Sequence, residues 1–309
     1  MSKLQLVSIR SKDKLILPGL LYSPKVPSKT AAIWLHGMGD NGMFYNPPRM
    51  NALGQSLNEK NIAFFSFNNR GAHNNKTLRI DDKSLPKKKQ HYQGGTYFEK
   101  IAECVHDIDG ALAFLQELGF STFYLLGHSS GANKICNYHA HSSNNPFSKY
   151  VLAAPSDDIG SYYEELGKDK FWQTFNNAKE LVSKGKPYKT MPLSSGMHPF
   201  SAQSAVDILD PDGAYNTFPF YEVKTGRIGT KPLFQEYIAF DKPTLVVFGD
   251  QDEYQETAGG AEGSCNIMKD YLPQNIRADS AFKLIKNTDH GFHGAEQEFA
   301  ETVAQWLTK

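Results

Sequence analysis

The chain has 309 residues, 40% of them hydrophobic, and is therefore long enough to bury a large core. Lysine and arginine together number 33, as do aspartate and glutamate, so the formal net charge is zero. Because a balanced charge gives no general attraction to polyanions, neither nucleic acid nor a membrane surface is predicted as a partner. No apolar run approaches the roughly 18 residues of a membrane span, and the first residues lack the apolar region of a signal peptide.

Three cysteines, Cys104, Cys136 and Cys265, lie far apart in the chain. They form no C-x-x-C pair, and an odd number of cysteines cannot all be joined within one chain. This pattern is typical of buried free thiols in a reducing compartment. The sequence therefore predicts a cytoplasmic protein.

Short apolar runs, each suited to a buried strand, alternate with helical patterns along the chain. The strands are predicted at residues 4–9, 15–21, 31–35, 62–67, 123–126, 150–153, 244–248 and 281–285, the first two as a hairpin. Apolar residues from Ile101 to Leu115 recur at steps of three and four, which predicts a helix that ends near Gly119. A closing helix is predicted through Phe299 and Trp306. The alternation favours an α/β fold with a mostly parallel sheet flanked by helices.

Two segments interrupt this alternation. Residues 71–95 are polar, include the basic run 87–89, and predict a long surface loop. Residues 156–241 separate two predicted strands by more than a simple connection needs, so they are predicted to form a lid inserted after the sixth strand. The core then comprises residues 1–155 and 242–309.

The predicted lid contains two apolar helical stripes, at residues 171–182 and 202–209, and many aromatic side chains such as Trp172 and Phe220. Pockets for small molecules are mostly apolar with a few polar anchors. The lid is therefore expected to select the substrate without performing chemistry, and to favour a moderately bulky acyl or aromatic ester over acetate.

Residues 127–131 read Gly-His-Ser-Ser-Gly and fit the G-x-S-x-G nucleophile elbow between a strand and a helix. The turn is so tight that glycines two residues to either side keep side chains from colliding while the serine Oγ projects above the sheet. Ser129 has glycine at both positions, whereas Ser130 would be flanked by His128 and Ala132. Ser129 is therefore the predicted nucleophile.

A serine nucleophile needs an adjacent base, and the base needs a group that fixes its tautomer. Asp250 and Asp252 follow the next-to-last predicted strand, and His290 and His293 follow the last one. Both pairs lie at the carboxyl ends of strands, where open α/β sheets place their sites. They are the candidate acids and bases for Ser129.

The chain order of serine, aspartate and histidine resembles that of the α/β-hydrolase superfamily, with matching elements from the first strands to the last helix. The Gly249 to Asp252 spacing is similar to the acid turn of that superfamily, and residues 289–292 are similar to its histidine loop. The resemblance implies Asp252 as the acid and His290 as the base. Asp250 and His293 remain the alternatives.

His36-Gly37-Met38-Gly39-Asp40 directly follows the third predicted strand. Small residues there allow backbone N–H groups to approach a developing negative charge. The loop resembles that of carboxylesterases and acyl-protein thioesterases, which implies an oxyanion hole formed by the N–H groups of Met38 and Ser130. We interpret His36 as a structural residue of this loop.

A narrower resemblance is to siderophore-ester hydrolases of the fusarinine esterase type. It rests on residues 127–129, 154–158, 242–245 and 252–254. The sequence has no motif for a metal, a nucleoside triphosphate or a dinucleotide, so no metal and no cofactor is predicted.

The leading interpretation is a serine hydrolase of carboxylic esters or thioesters that forms an acyl-enzyme through Ser129, His290 and Asp252, with Met38 and Ser130 at the oxyanion. The expected partner is a small-molecule acyl ester or thioester, and the oligomeric state stays open. An acyltransferase, a prolyl-peptidase-like amidase and a non-catalytic ligand-binding protein remain alternatives, because the fold alone does not decide among them.

Overall fold

The computed structural model describes residues 3–42, 44–191 and 200–309, so residues 192–199 of the predicted lid lie outside the described residues. An eight-stranded sheet runs through the molecule, and two small hairpins lie beside it. The strands are β1 (Lys3–Arg10), β2 (Ile16–Ser23), β3 (Thr30–Leu35), β4 (Ala63–Phe67), β5 (Lys76–Arg79), β6 (His91–Gly94), β7 (Thr122–His128), β8 (Phe147–Ala153), β9 (Thr190–Met191), β10 (Phe200–Ser201), β11 (Thr244–Gly249) and β12 (Ala281–Ile285).

The order of strands in the large sheet is β1-β2-β4-β3-β7-β8-β11-β12. Only the pairs β1–β2 and β2–β4 of this sheet are antiparallel, and all of its other neighbours are parallel. Strands β4 and β11 are buried along their whole length, as expected for parallel strands that are covered on both faces. The predicted opening hairpin and the mostly parallel sheet are confirmed.

Helices flank the sheet, and α1 packs against α9 while α2 packs against α3. None of the helices within the described ranges has the length and hydropathy needed to cross a membrane. The helices are α1 (Pro47–Glu59), α2 (Cys104–Glu117), α3 (Ser130–His141), α4 (Asp158–Leu166), α5 (Lys168–Ser183), α6 (Ala202–Leu209), α7 (Phe220–Lys224), α8 (Ala261–Tyr271) and α9 (Glu296–Leu307).

The predicted long loop at residues 71–95 contains the antiparallel hairpin of β5 and β6, so a loop prediction over its whole length was wrong. Leu78 is buried and pairs with the half-buried Tyr92, while the basic run at 87–89 is exposed. Because each strand has four residues and the hairpin buries so few apolar side chains, its sequence lacks the alternation that predicts a strand.

The segment between β8 and β11 divides into two parts. Helices α4, α5 and α6 pack on one another around a second apolar cluster, separate from the core around the large sheet. The buried members of this second apolar cluster are Ile101, Ile159, Tyr162, Phe171, Phe175, Ala178, Met191, Phe200, Ala202, Ala205, Ile208, Leu209 and Tyr215.

The later part of the same segment packs into the core of the large sheet, through Phe218, Phe220, Phe234, Tyr237 and Phe240. Strands β8 and β11 are parallel neighbours, so the chain must return from the carboxyl end of one to the amino end of the other. Residues 218–240 make this return. The structure thus divides the predicted lid into a second apolar cluster and a crossover that belongs to the core.

Candidate active site

The nucleophile elbow lies at the junction of β7 and α3. Ser129 falls between the two elements and has φ 54° and ψ −128°, a conformation that is strained for a residue with a side chain. Its N–H donates to the carbonyl oxygen of Ala153 at 2.9 Å, which joins the turn to the neighbouring strand. The hydroxyl is therefore held at the carboxyl edge of the sheet.

The glycines around Ser129 are required by close backbone contacts. A Cβ atom at Gly127 would overlap the carbonyl group of Gly131, and a Cβ atom at Gly131 would overlap that of Leu35. At Gly37 a Cβ atom would lie 3.0 Å from the Cβ of the serine. The turn therefore excludes side chains at the positions where the sequence has glycine.

The structure brings His290 and Asp252 together. His290 Nδ1 lies 2.9 Å from Asp252 Oδ1, and the aspartate side chain is fully buried. The same carboxylate accepts hydrogen bonds from the Tyr254 N–H at 3.0 Å and from Gln255 Nε2 at 3.2 Å. A proton on His290 Nδ1 leaves Nε2 free to accept one, as a general base requires.

The alternative acid, Asp250, and the alternative base, His293, are bonded to residues other than His290 and Asp252. Asp250 Oδ1 accepts a hydrogen bond from the Asn287 N–H at 2.7 Å. His293 is exposed, and its Nδ1 lies 2.8 Å from Asp289 Oδ2. Across the described ranges Ser129 Oγ makes no hydrogen bond with His290, but such bonds often tighten only in the substrate complex.

Two aromatic rings contact His290. The His128 ring lies 4.8 Å from it and the Tyr254 ring 4.6 Å from it, between centroids. His128 Nε2–H donates to the carbonyl oxygen of His290 at 2.8 Å, and burial holds the pKa of His128 well below its usual range. The neutral ring next to the nucleophile thus fixes the backbone of the predicted base. The sequence offered His128 only as a residue flanking the elbow.

Arg49 joins the loop of the predicted base to the predicted oxyanion loop. Its guanidinium is buried, donates to the Gly291 carbonyl oxygen at 3.1 Å, and lies 3.7 Å from Asp40 Oδ2. It also lies 5.3 Å from the centre of the Trp34 ring. Burial raises the pKa of Asp40 to about 6, although the arginine opposes this shift. Nothing in the local sequence marks Arg49, because its partners are distant in the chain.

The predicted oxyanion loop follows β3. The N–H of Gly39 donates to Thr96 Oγ1 at 2.7 Å, which holds the loop, and the Met38 side chain packs against the second apolar cluster. Ser130 is the first residue of α3, so its N–H has no partner within the helix and lies at the positive end of the helix dipole. The predicted oxyanion donors, the N–H groups of Met38 and Ser130, both belong to segments that adjoin Ser129.

His36 is fully buried behind this loop, and its Nδ1 lies 2.9 Å from the carbonyl oxygen of Gly37. Burial and the nearby charge of Lys134 lower the pKa of His36 well below its usual value. Lys134 is itself buried and pairs with Glu99 at 2.7 Å. His36 is therefore a neutral residue of the interior.

The mostly parallel eight-stranded sheet and the nucleophile elbow between β7 and α3 are together those of an α/β hydrolase. A family model described as alpha/beta hydrolase fold matches residues 33–290, and the chain belongs to this family. A search among curated protein sequences finds no significant match.

Several solved esterases are similar to the chain in structure. Est1E from Butyrivibrio proteoclasticus, with ferulic acid bound, is 16% identical over 97% of both chains, with a TM-score of 0.61. The thermostable carboxyl esterase from Bacillus coagulans is 15% identical, over 99% of this chain and 98% of that one, with a TM-score of 0.62. The esterase from Exiguobacterium antarcticum is 16% identical, over 98% and 99%, with a TM-score of 0.57. At these identities the likeness shows a shared fold.

Proposed function

We propose that the protein is a serine hydrolase that cleaves carboxylic esters of small molecules. The observation that carries this proposal is the 2.9 Å pairing of His290 with the buried Asp252 at the edge of the sheet where the elbow presents Ser129. Solved proteins described as esterases share the fold over almost the whole chain, which supports an ester as the substrate.

In the proposed reaction His290 Nε2 removes the proton of Ser129 as Oγ attacks the ester carbonyl, and Asp252 stabilises the imidazolium that forms. The N–H groups of Met38 and Ser130 donate to the oxyanion. The imidazolium then protonates the alkoxide oxygen as the bond between the carbonyl carbon and this oxygen breaks. The alcohol departs, and the acyl group stays bound to Ser129 as an acyl-enzyme. Water then attacks the acyl carbonyl while the same imidazole takes its proton. The imidazole returns the proton to Ser129 Oγ as the carboxylic acid is released.

The decisive experiment is a screen of acyl esters and thioesters of increasing chain length, with products identified in the presence and absence of an added alcohol. We expect the free acid as the main product and esters as the better substrates. Transfer of the acyl group to the alcohol as the main reaction would favour the acyltransferase. Cleavage of prolyl amides but not of esters would favour the amidase.

We further propose that the second apolar cluster acts as the lid over this site. Met38, at the predicted oxyanion, packs directly against the cluster. Helix α4 contacts both α7 and residues 256–258, which follow the predicted acid Asp252. The cluster therefore adjoins both sides of the proposed site, where it can select among acyl groups.

Substitution by alanine is expected to have different effects at Trp172 and Phe220, two aromatic residues of the segment between β8 and β11. Trp172 is half-buried against the second apolar cluster, whereas Phe220 is fully buried in the core of the large sheet. Phe220→Ala should lower the free energy of unfolding by about 3–5 kcal/mol, measured by denaturant titration. Trp172→Ala should fold and change the ratio of kcat/KM between an aromatic ester and acetate by about tenfold. An unchanged ratio in a folded Trp172→Ala protein would contradict the lid.

Turnover should not depend on a metal, because the proposed nucleophile is activated by an imidazole. Within the described ranges, no group of three or more His, Cys, Asp or Glu side chains is arranged to hold a metal ion. Dialysis against a chelator should therefore leave kcat/KM unchanged. A loss of rate that one divalent ion restores would contradict the proposed reaction.

A further inference from the structure

Thr96 is a buried residue that lies just after β6 and bonds to the predicted oxyanion loop. Its Oγ1 accepts the N–H of Gly39 at 2.7 Å. The same hydroxyl donates to the carbonyl oxygen of Gly71 at 3.0 Å. A hydroxyl has one hydrogen, and because Gly71 receives it, the oxygen faces Gly39 as an acceptor.

The backbone of Thr96 is bonded on both sides, so this hydroxyl is a fixed anchor. The Thr96 N–H donates to the carbonyl oxygen of His73 at 2.8 Å, and the Thr96 carbonyl oxygen accepts the Ser204 hydroxyl of α6 at 3.1 Å. The His73 N–H in turn donates to the carbonyl oxygen of Asp40 at 2.9 Å. The predicted oxyanion loop is therefore bonded to residues 73–96 at two points, once through a side chain and once through the backbone.

The bond to Gly39 acts on the predicted oxyanion donor through the backbone. The Gly39 N–H belongs to the peptide that follows Met38, and the Met38 N–H belongs to the peptide that precedes it. Both peptides are planar and share the Met38 Cα, so fixing one leaves the other only the rotations about the two bonds of that atom. Gly39 itself has φ 68°, one of several conformations that glycine adopts without strain.

The orientation of this donor matters because an oxyanion is stabilised by N–H groups that point at it before the reaction begins. A misplacement of about 1 Å in an active site can cost about 100-fold in rate. Met38 lies between Gly37 and Gly39, and glycine is the residue whose backbone rotates most freely. The direction of the Met38 N–H therefore depends on bonds from outside the loop.

We propose that Thr96 is a positioning residue of the proposed reaction, whose hydroxyl holds the Met38 N–H in the orientation that binds the oxyanion. This inference rests on the proposed function, because the oxyanion forms when Ser129 attacks an ester. In this role Thr96 acts through the Gly39 peptide and makes no contact with the substrate. The segment that carries the hairpin of β5 and β6 is then the support of the oxyanion loop.

Thr96→Val tests the proposal, because valine keeps the shape of threonine and removes the hydroxyl. We expect kcat for the best ester from the screen to fall by about 10- to 100-fold, with KM changed by less than about threefold, since the oxyanion contact forms only in the transition state. Thr96→Ser keeps the hydroxyl and should keep kcat within about threefold of the wild type. Thr96→Cys offers a weak sulfur acceptor and should lie between them, so the order of serine and cysteine decides even if the valine variant does not fold.

Thr244→Val is the matched control. Thr244 is fully buried and its hydroxyl also donates to a backbone carbonyl, that of Lys242 at 3.0 Å, but it lies at the amino end of β11, away from the edge of the sheet that holds Ser129. We expect this variant to have a lower Tm and an unchanged kcat. Equal losses of kcat in the two valine variants, equal losses in Thr96→Ser and Thr96→Val, or an unchanged kcat in a folded Thr96→Val protein would each overturn the proposal.

The rate at which a fluorophosphonate labels Ser129 is a second readout that needs no ester. The serine oxygen displaces fluoride from phosphorus while its proton passes to His290, and the phosphoryl oxygen takes the place of the oxyanion. The second-order rate constant should fall in the order Thr96→Ser, Thr96→Cys, Thr96→Val, and equal rate constants would contradict the role of Thr96. Hydrolysis of esters by the wild type tests the proposed function separately, so labelling in this order without ester hydrolysis would be a failure of the proposed function alone.

Discussion

Replacement of Ser129 by alanine is expected to reduce kcat/KM for an ester by about 10⁴-fold or more, since only the oxyanion donors and substrate binding remain. The fold should persist, because the change removes one oxygen and leaves the elbow glycines unaltered. Steady-state kinetics on the best ester from the screen measures the loss, and thermal unfolding shows that the structure is retained.

Covalent labelling identifies the nucleophile independently of any substrate. A fluorophosphonate should modify the wild type at Ser129, located by peptide mapping, and should not modify Ser129→Ala. Ser148→Ala, which removes an exposed serine hydroxyl from β8, is the matched control and should keep full activity and labelling. Near wild-type turnover by Ser129→Ala would refute the whole assignment.

Asp252→Asn is expected to reduce kcat by about 10³- to 10⁴-fold, because an amide at this position no longer holds His290 in the reactive tautomer. Asp250→Asn is the matched control. It should change the rate by only a few-fold, because its role is to accept the Asn287 N–H, which an amide oxygen also does. The reverse ranking would transfer the acid to Asp250.

The two histidines form a second matched pair for the same prediction. His290→Ala should be nearly as inactive as the serine variant, since it removes the general base. His293→Ala should keep most activity, because this exposed ring pairs with Asp289 and not with Asp252. Comparable losses in both variants would show that the two side chains share the role.

The parts of the fold that the sequence predicted are those with strong local signals. Residues 244–248 form a continuous apolar run and lie in a strand that is buried throughout. The glycine at 127 is required by a backbone contact with Gly131, four residues further along the chain. Such constraints act over short distances, so a single sequence is enough to see them.

The parts that the sequence did not predict depend on contacts between distant segments. Arg49 contacts Gly291, which is 242 residues further along the chain, and no local pattern marks either position. The four-residue strands β5 and β6 bury too few side chains to produce a periodic signal. Asp157 and Asp158 look equivalent in the sequence, and only the structure assigns the cap of α4 to Asp157 and a hydrogen bond from the Ser156 hydroxyl to Asp158.

The division of the segment between β8 and β11 bears on how the enzyme can be redesigned. Residues 218–240 are the return path between two parallel neighbours, and their aromatic side chains complete the interior, so removing them would break the scaffold. The helices α4, α5 and α6 carry an interior of their own, apart from the core that this path completes. If the proposed lid selects the substrate, a chimera that exchanges these helices for those of another esterase, joined ahead of residue 218, is expected to keep the scaffold and to change the selectivity.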